Sequence, residues 1–416
     1  MTQRTSNAIP TKLLVLMVTA FVDMVGLLMV LPLLPFYAQG LVGDGFRLQV
    51  LGGTLFVGAG QVVAILVSAF AGAQLLSAPV WGRFSDRYGR RPALIVALVA
   101  STIAYVLFAF ASTLWLLLLS RLLQGAGGGT VGVIQAYVAD STPPEDRAKS
   151  LGWLSAVTNA GVALGPVLGS MSATLGPRTP GLAAAALCLI NVAIVWFLLH
   201  ESRVLAKEGA AKPRTSRVAV KRVVTHPSEP SSRLIWIYAI AMGGFQGTTA
   251  ILALFLAVRF GIDERTIGYF FMYIGVISVV TRAGLLGRMV DRFGEPRLSR
   301  AGVVLLAAGL ATMPLTHTIP LLALSVALLP LGTAFTFPCV TAMLSRVVSA
   351  QERGLYMGVQ QTFGGAARFL FPLFAGAAFD HLGIGVPFYI AGGLVLATLL
   401  LGTDLERYVA PRAARA

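Results

Sequence analysis

Apolar residues in this chain do not alternate with polar ones. They run in long blocks, separated by short polar connections. Along the 416 residues, twelve such blocks cover about 12–37, 53–81, 93–112, 114–139, 150–175, 180–200, 233–259, 265–288, 298–316, 319–346, 354–379 and 384–403. At 1.5 Å per residue, most are long enough to cross a hydrocarbon layer about 30 Å thick as a single helix. The one long polar stretch, 201–233, falls after the sixth block and carries eight lysines and arginines against three glutamates. The pattern predicts an all-α polytopic membrane protein. Twelve transmembrane helices form two pseudo-symmetric six-helix bundles, residues 1–200 and 233–416, joined by a flexible cytoplasmic linker over 201–232.

Composition sharpens this picture. Only 12% of residues are charged and 56% are hydrophobic, whereas a soluble domain carries about a quarter charged. The net charge of +15 would invite a nucleic-acid reading, but the basic residues sit between apolar blocks, as the positive-inside rule requires. No nucleic-acid partner is expected; membrane lipid is. The first block is too long for a cleaved signal and reads as a spanning helix. With six spans on each side of the cytoplasmic linker, both termini are expected in the cytoplasm. Cys188 and Cys339 lie inside apolar blocks without ligand-like neighbours, so neither a disulfide nor a metal is expected.

The halves repeat. "GRFSDRYGRRP", 82–92, returns 205 residues later as "GRMVDRFGEPR", and "EDRAKSLG", 145–152, returns 206 residues later as "QERGLYMG". Parallel repeats suggest two bundles related by an axis along the membrane normal, with a substrate path between them.

These motifs carry a resemblance. "GRFSDRYGRRP" after the second block resembles the G-x-L-x-D-R-x-G-R-R motif of the major facilitator superfamily. "DMVGLLMVLPLLP" in the first block, "SRLLQGAGGG" in the fourth and "GVALGPVLGS" in the fifth agree with it. End to end, the chain resembles the twelve-helix drug/proton antiporters, the tetracycline exporters among them. The resemblance implies secondary transport in a bacterial cytoplasmic membrane by a single chain, driven by a proton gradient with no cofactor. Tetracycline exporters carry an acidic residue in the third helix and another in the ninth. This chain has neither, which implies a different or broader substrate.

The candidate site residues fall into four groups. Gly82, Asp86, Arg87, Gly89, Arg90 and Asp140, with Gly287, Asp291 and Arg292 in the second copy, mark a cytoplasmic gate. Asp86 can bond Arg90 locally and Asp140 is placed to join them; the resemblance implies a latch, while topology alone also explains the arginines. In the second copy Glu295 and Pro296 replace the arginine pair, so the two sides are unequal. Asp23 is the one mid-span carboxylate, at a depth similar to Arg121, and charge at that depth is functional by default. The two form either a proton switch, touching directly or through water, or a static ion pair between the first and fourth helices.

Gly161, Gly165 and Gly169 make one smooth face beside Pro166, a seam or hinge. Export polarity for that motif follows only from the resemblance. For substrate contacts the candidates are Gln124, Asn159, Phe245, Gln246, Tyr273, Phe337, Gln360, Phe363 and Arg368. Gln124 can orient Arg121 or merely pack, Asn159 can line the cavity or bond a neighbouring helix, and the aromatics can form an apolar pocket or face lipid. Arg368 can meet an anionic substrate or a backbone carbonyl.

The expected function is proton-coupled efflux of small amphipathic compounds or drugs by alternating access. Transport of an organic anion or lipid-like metabolite through Arg368 is the alternative, and a non-transporting receptor or scaffold ranks third. The sequence carries no phosphate loop and no metal-ligand cluster, so an enzyme is not expected.

Overall fold

A computed structural model describes residues 11–43, 45–50, 53–201 and 216–404. Most of the linker's basic residues and both chain termini lie outside them. Among the described residues, ten helical segments are long and apolar enough to cross a membrane. One of these, 267–315, holds two of the predicted helices. Within it Gly294 adopts φ +74° with Pro296 close behind, and the chain turns sharply between them. With that turn and the shorter apolar helix Val386–Leu401, every predicted block has a helical counterpart.

The first block is α1 (Thr11–Val30), a tight turn at Leu31–Leu33 and α2 (Leu34–Val42). Proline at positions 32 and 35 cannot donate to a continuous helix, which accounts for the interruption. The second block starts later than the apolar pattern suggests. Residues 53–58 belong to a hairpin, β1 (Gly45–Val50) against β2 (Gly53–Gly58), antiparallel with Phe46 opposite Val57. Only then does α3 (Ala59–Tyr88) begin. Apolar β-branched residues suit either element, so the block alone could not separate them.

There follow α4 (Arg90–Ala109), α5 (Leu114–Ala126), α6 (Thr130–Ser141), α7 (Pro144–Ala173) and α8 (Thr179–Leu198). The second half comprises α9 (Ser216–Thr225), α10 (Pro230–Phe260), α11 (Ile267–Val280), α12 (Leu286–Thr312), α13 (Ile319–Val347), α14 (Arg353–Leu382) and α15 (Val386–Leu401). Between α11 and α12 the turns widen to a π-helix over Thr281–Leu285.

The helices form two compact units. One is drawn from Met1–Leu31 and Leu76–Glu208, the other from Pro32–Leu75 and Gly209–Ala416. In the first unit α7 lies against α1. A Cβ on Gly161 would stand 2.8 Å from the Phe21 carbonyl, one on Gly165 2.7 Å from Leu28, and one on Gly169 2.1 Å from the Met29 carbonyl. Only hydrogen at those positions lets the two backbones approach so closely.

In the second unit the start of α3 meets the end of α14. Asp380 accepts from the backbone N–H of Gly60 at 3.0 Å and of Gln61 at 2.7 Å. Both N–H groups belong to the first turn of α3 and have no partner within their own helix. With the close approach of Gly376 to Gly60 and Ala64, this contact ties the first part of α3 to the second unit. The expected linker is not featureless either. α9 buries Ala219 and Val223 against Leu234, Tyr238 and Val340, and the Val223 carbonyl accepts from the Trp236 indole at 3.3 Å. Ala219 and Val223, four residues apart, share the buried face of α9, while Arg217, Lys221 and Arg222 are exposed.

Candidate functional site

The glycine before α4 has φ +106°, a conformation that other residues rarely adopt. A Cβ there would also strike the Glu201 carboxylate. Gly89 therefore lets Glu201 accept from the first free N–H groups of α4, those of Arg90 at 2.9 Å and Arg91 at 3.1 Å. Fixed in this way, Arg90 bonds Asp86 at 2.6 Å, Asp140 at 2.9 Å and Ser85 at 2.7 Å. Arg91 covers the Trp196 ring and donates to its carbonyl at 2.5 Å. Arg87 lies over the Tyr88 ring. Gly82 has open space around it. Asp86, Arg90 and Asp140 thus form one connected cluster, with Glu201 as a member that the motif did not reveal.

The second copy keeps the geometry and reverses the charges. Glu295 stands 205 residues after Arg90, and Arg346 stands 206 after Asp140. They pair at 2.5 Å, with the Glu295 side chain 12% exposed. The positive φ recurs as well, since Gly89 maps to Gly294. Asp291 and Arg292 are exposed, Arg292 lies over Phe293, and Gly287 is in open space. The inequality expected from Glu295 and Pro296 is therefore an inversion of polarity. Applying the repeat offset to Asp140 would have found Arg346.

Asp23 lies about 18 Å along α1 at 1.5 Å per residue. Its carboxylate accepts from the Thr130 hydroxyl at 2.6 Å. It makes no ion pair with Arg121, so of the two forms expected, direct or through water, the direct one is not formed. The reason is local. Gly127–Gly129 break the fourth block and bring the first residue of α6, rather than α5, to the carboxylate. Arg121 is 1% exposed, lies 5.0 Å over the Phe108 ring, donates to Ser120 at 3.4 Å and has no partner on Nη2. Tyr105 is within electrostatic reach of Asp23 and Arg121 and within hydrogen-bonding reach of Gln124. Gln124 is buried and its Oε1 has no partner. Thr130 and Tyr105 were not singled out from the sequence, although the run of glycines before Thr130 was a usable signal.

The remaining candidates are scattered. Asn159 bonds its own helix at Ser155. Pro166 sits inside α7, beside the glycine seam. In the second unit Gln360 is fully buried, accepts from Thr341 at 3.2 Å and leaves Nε2 without a partner. Phe337 packs on Tyr238 and Phe363 on Trp236, so these aromatics belong to the packing around the base of α10. Tyr273 donates to the Ala323 carbonyl. Phe245 and Gln246 are half-buried. Arg368 is half-buried on α14 and makes no hydrogen bond or ion pair with another described residue.

Apolar helices long enough to cross a membrane, with the buried Arg121 and Gln124 part-way along one of them, define an integral membrane protein. The sequence profile of the Major Facilitator Superfamily matches residues 16–295 and 283–415, and the chain belongs to that superfamily. It is 30% identical over 350 residues to the class C tetracycline resistance protein of Escherichia coli, covering 83% of this chain and 84% of that one. It is 26% identical over 406 residues to multidrug resistance protein 2 of Bacillus subtilis (strain 168), covering 95% and 96%. The crystal structure of the human organic anion transporter MFSD10 (TETRAN) shares the fold, with a TM-score of 0.68 at 23% identity over 94% of this chain and 99% of that one.

Proposed function

We propose that this transporter is a proton-coupled antiporter that exports small amphipathic compounds across a bacterial cytoplasmic membrane. It works as a single chain with both termini in the cytoplasm, without a cofactor and powered by the proton gradient. The observation that carries the reading is Asp23, a carboxylate about 18 Å into a spanning helix and held by one hydroxyl. An ionisable group at that depth is costly unless its charge is used. Asp23 takes a proton from one side and gives it up to the other as the site opens alternately, and substrate moves the opposite way. Relatives named for tetracycline and multidrug resistance support efflux. The absence of an acid from both the third and ninth blocks favours substrates other than tetracycline.

Arg368 supports a second reading. A guanidinium part-way along a spanning helix, without a partner among the described residues, suits an organic anion.

The test reconstitutes the protein in liposomes holding a pH-sensitive dye and adds cationic, neutral and anionic amphiphiles in turn. Proton movement evoked by a cation and lost in Asp23→Asn is the expected result. A response to anions only, retained in Asp23→Asn and lost in Arg368→Ala, would overturn antiport in favour of the second reading.

A further inference from the structure

The fourth apolar block does not cross as one helix. α5 ends at Ala126, α6 begins at Thr130, and three glycines join them. Interrupting a helix at membrane depth frees carbonyls on one side of the break and N–H groups on the other, and hydrocarbon offers neither a partner. Here α3 supplies two. The Ala126 carbonyl accepts from the Trp81 indole at 2.6 Å, and the Gly125 carbonyl, which also accepts from the Gly128 N–H at 3.0 Å, from the Ser77 hydroxyl at 3.3 Å. Ser77 and Trp81 are four residues apart, on one face of α3. A Cβ on Gly129 would overlap the Trp81 ring, so glycine is what admits the indole.

On the far side of the break Thr130 is 3% exposed and donates to Asp23. It is the first residue of α6, where the helix dipole presents its positive end. The other titratable or charged groups within electrostatic reach are Tyr105 of α4 and Cys188 of α8. Arg121 of α5 stays unpaired with Asp23. α7 turns its glycines toward α1, and Asn191 of α8 is engaged with the Thr19 carbonyl.

We propose that the glycine break in the fourth span, braced by Ser77 and Trp81 and completed by Thr130, sets the proton affinity of Asp23. Thr130, Trp81 and Ser77 are positioning residues for proton coupling, an inference that rests on Asp23 being the proton carrier. With the break seated, the Thr130 hydroxyl and the end of α6 favour the ionised carboxylate. When the break shifts, both withdraw and Asp23 binds a proton from the side then open. Reseating returns that proton to the opposite side.

The test follows the carboxylic-acid C=O stretch of the full-length protein in membranes by infrared titration, with the band assigned by its loss in Asp23→Asn. Thr130→Val is expected to raise the midpoint of that band by about one pH unit, the worth of a hydrogen bond to a charged group. Thr130→Ser keeps the wild-type midpoint. Trp81→Phe, which retains the ring but not the indole N–H, moves it in the same direction as Thr130→Val. A midpoint unmoved by both Thr130→Val and Trp81→Phe would overturn the proposal. The carrier reading fails separately, if proton exchange in liposomes survives Asp23→Asn.

Discussion

The inverted ion pair at the base of the second half offers a quantitative test of how a shielded charge with one partner compares with one that is shared. Glu295 and Arg346 meet at 2.5 Å, with side-chain exposures of 12% and 53%. Asp86 and Arg90 meet at 2.6 Å with the arginine as the shielded partner, at 15% against 66% for Asp86, but Arg90 also holds Asp140 and Ser85. Exposed pairs are worth roughly 0.2–1 kcal/mol, whereas removing one partner of a fully buried pair costs about 3–5 kcal/mol. Glu295 is shielded and Arg346 is half in solvent, so the pair falls between these limits, at about 2 kcal/mol of coupling. The assay is a double-mutant cycle, Glu295→Gln with Arg346→Gln, on unfolding free energies in mild detergent. The same cycle on Asp86 and Arg90 should give less, about 0.5–1 kcal/mol, because Asp86 is the exposed member and Asp140 still answers Arg90 when Asp86 is gone. The exchanged variant Glu295→Arg with Arg346→Glu should regain most of the stability that either single exchange loses. A coupling for Glu295–Arg346 no larger than that for Asp86–Arg90 would refute the reasoning.

Two further outcomes follow from close contacts. Gly169→Ala should destabilise by about 1–3 kcal/mol, because its methyl would meet the Met29 carbonyl at 2.1 Å in a seam that cannot yield cheaply. Gly82→Ala and Gly287→Ala, with nothing within 4 Å, should leave the unfolding temperature unchanged or raise it, and equal losses at all three positions would contradict the contacts. Asp380→Ala should cost about 1 kcal/mol for the loss of two N–H partners at the start of α3. Gly60→Ala, whose methyl would meet that carboxylate at 2.7 Å, should add little once Asp380 is gone. Full additivity of the two in thermal unfolding would show that they do not meet.

Most of the spanning helices were legible because hydrocarbon imposes one requirement, a sustained apolar length, and the sequence satisfies it openly. The exceptions share a cause. Residues 53–58 are apolar and form a strand, and the apolar blocks starting at 12 and 114 each break once, at prolines or at glycines. Block length cannot register such interruptions, since the side chains stay apolar while the backbone changes course. The same limit explains the site. Depth along a straight helix brought Arg121 level with Asp23, and a break of three residues substituted Thr130. The Asp86, Arg90 and Asp140 cluster was readable because its members are local in sequence or at predictable helix ends. Glu201 was not, because it follows α8, more than a hundred residues from the N–H groups it caps.

The two halves also bear on what a repeat preserves. Gly89 and Gly294 share a positive φ, and the residue that follows each carries a charge paired about fifty residues downstream. The sign of that charge is opposite in the two copies. An ion pair needs complementarity, not a particular polarity, so both partners can exchange as long as they exchange together. Sequence comparison scores such an exchange as two unrelated losses, which is why the second copy of the motif looks degraded while its geometry is intact. The consequence is electrostatic. In the first cluster one arginine answers two carboxylates at its base, and in the second a shielded glutamate answers one arginine. An anion approaching the first cluster competes for Arg90, whereas a cation approaching the second competes for Glu295. The two clusters therefore present different counter-charges to an approaching ion.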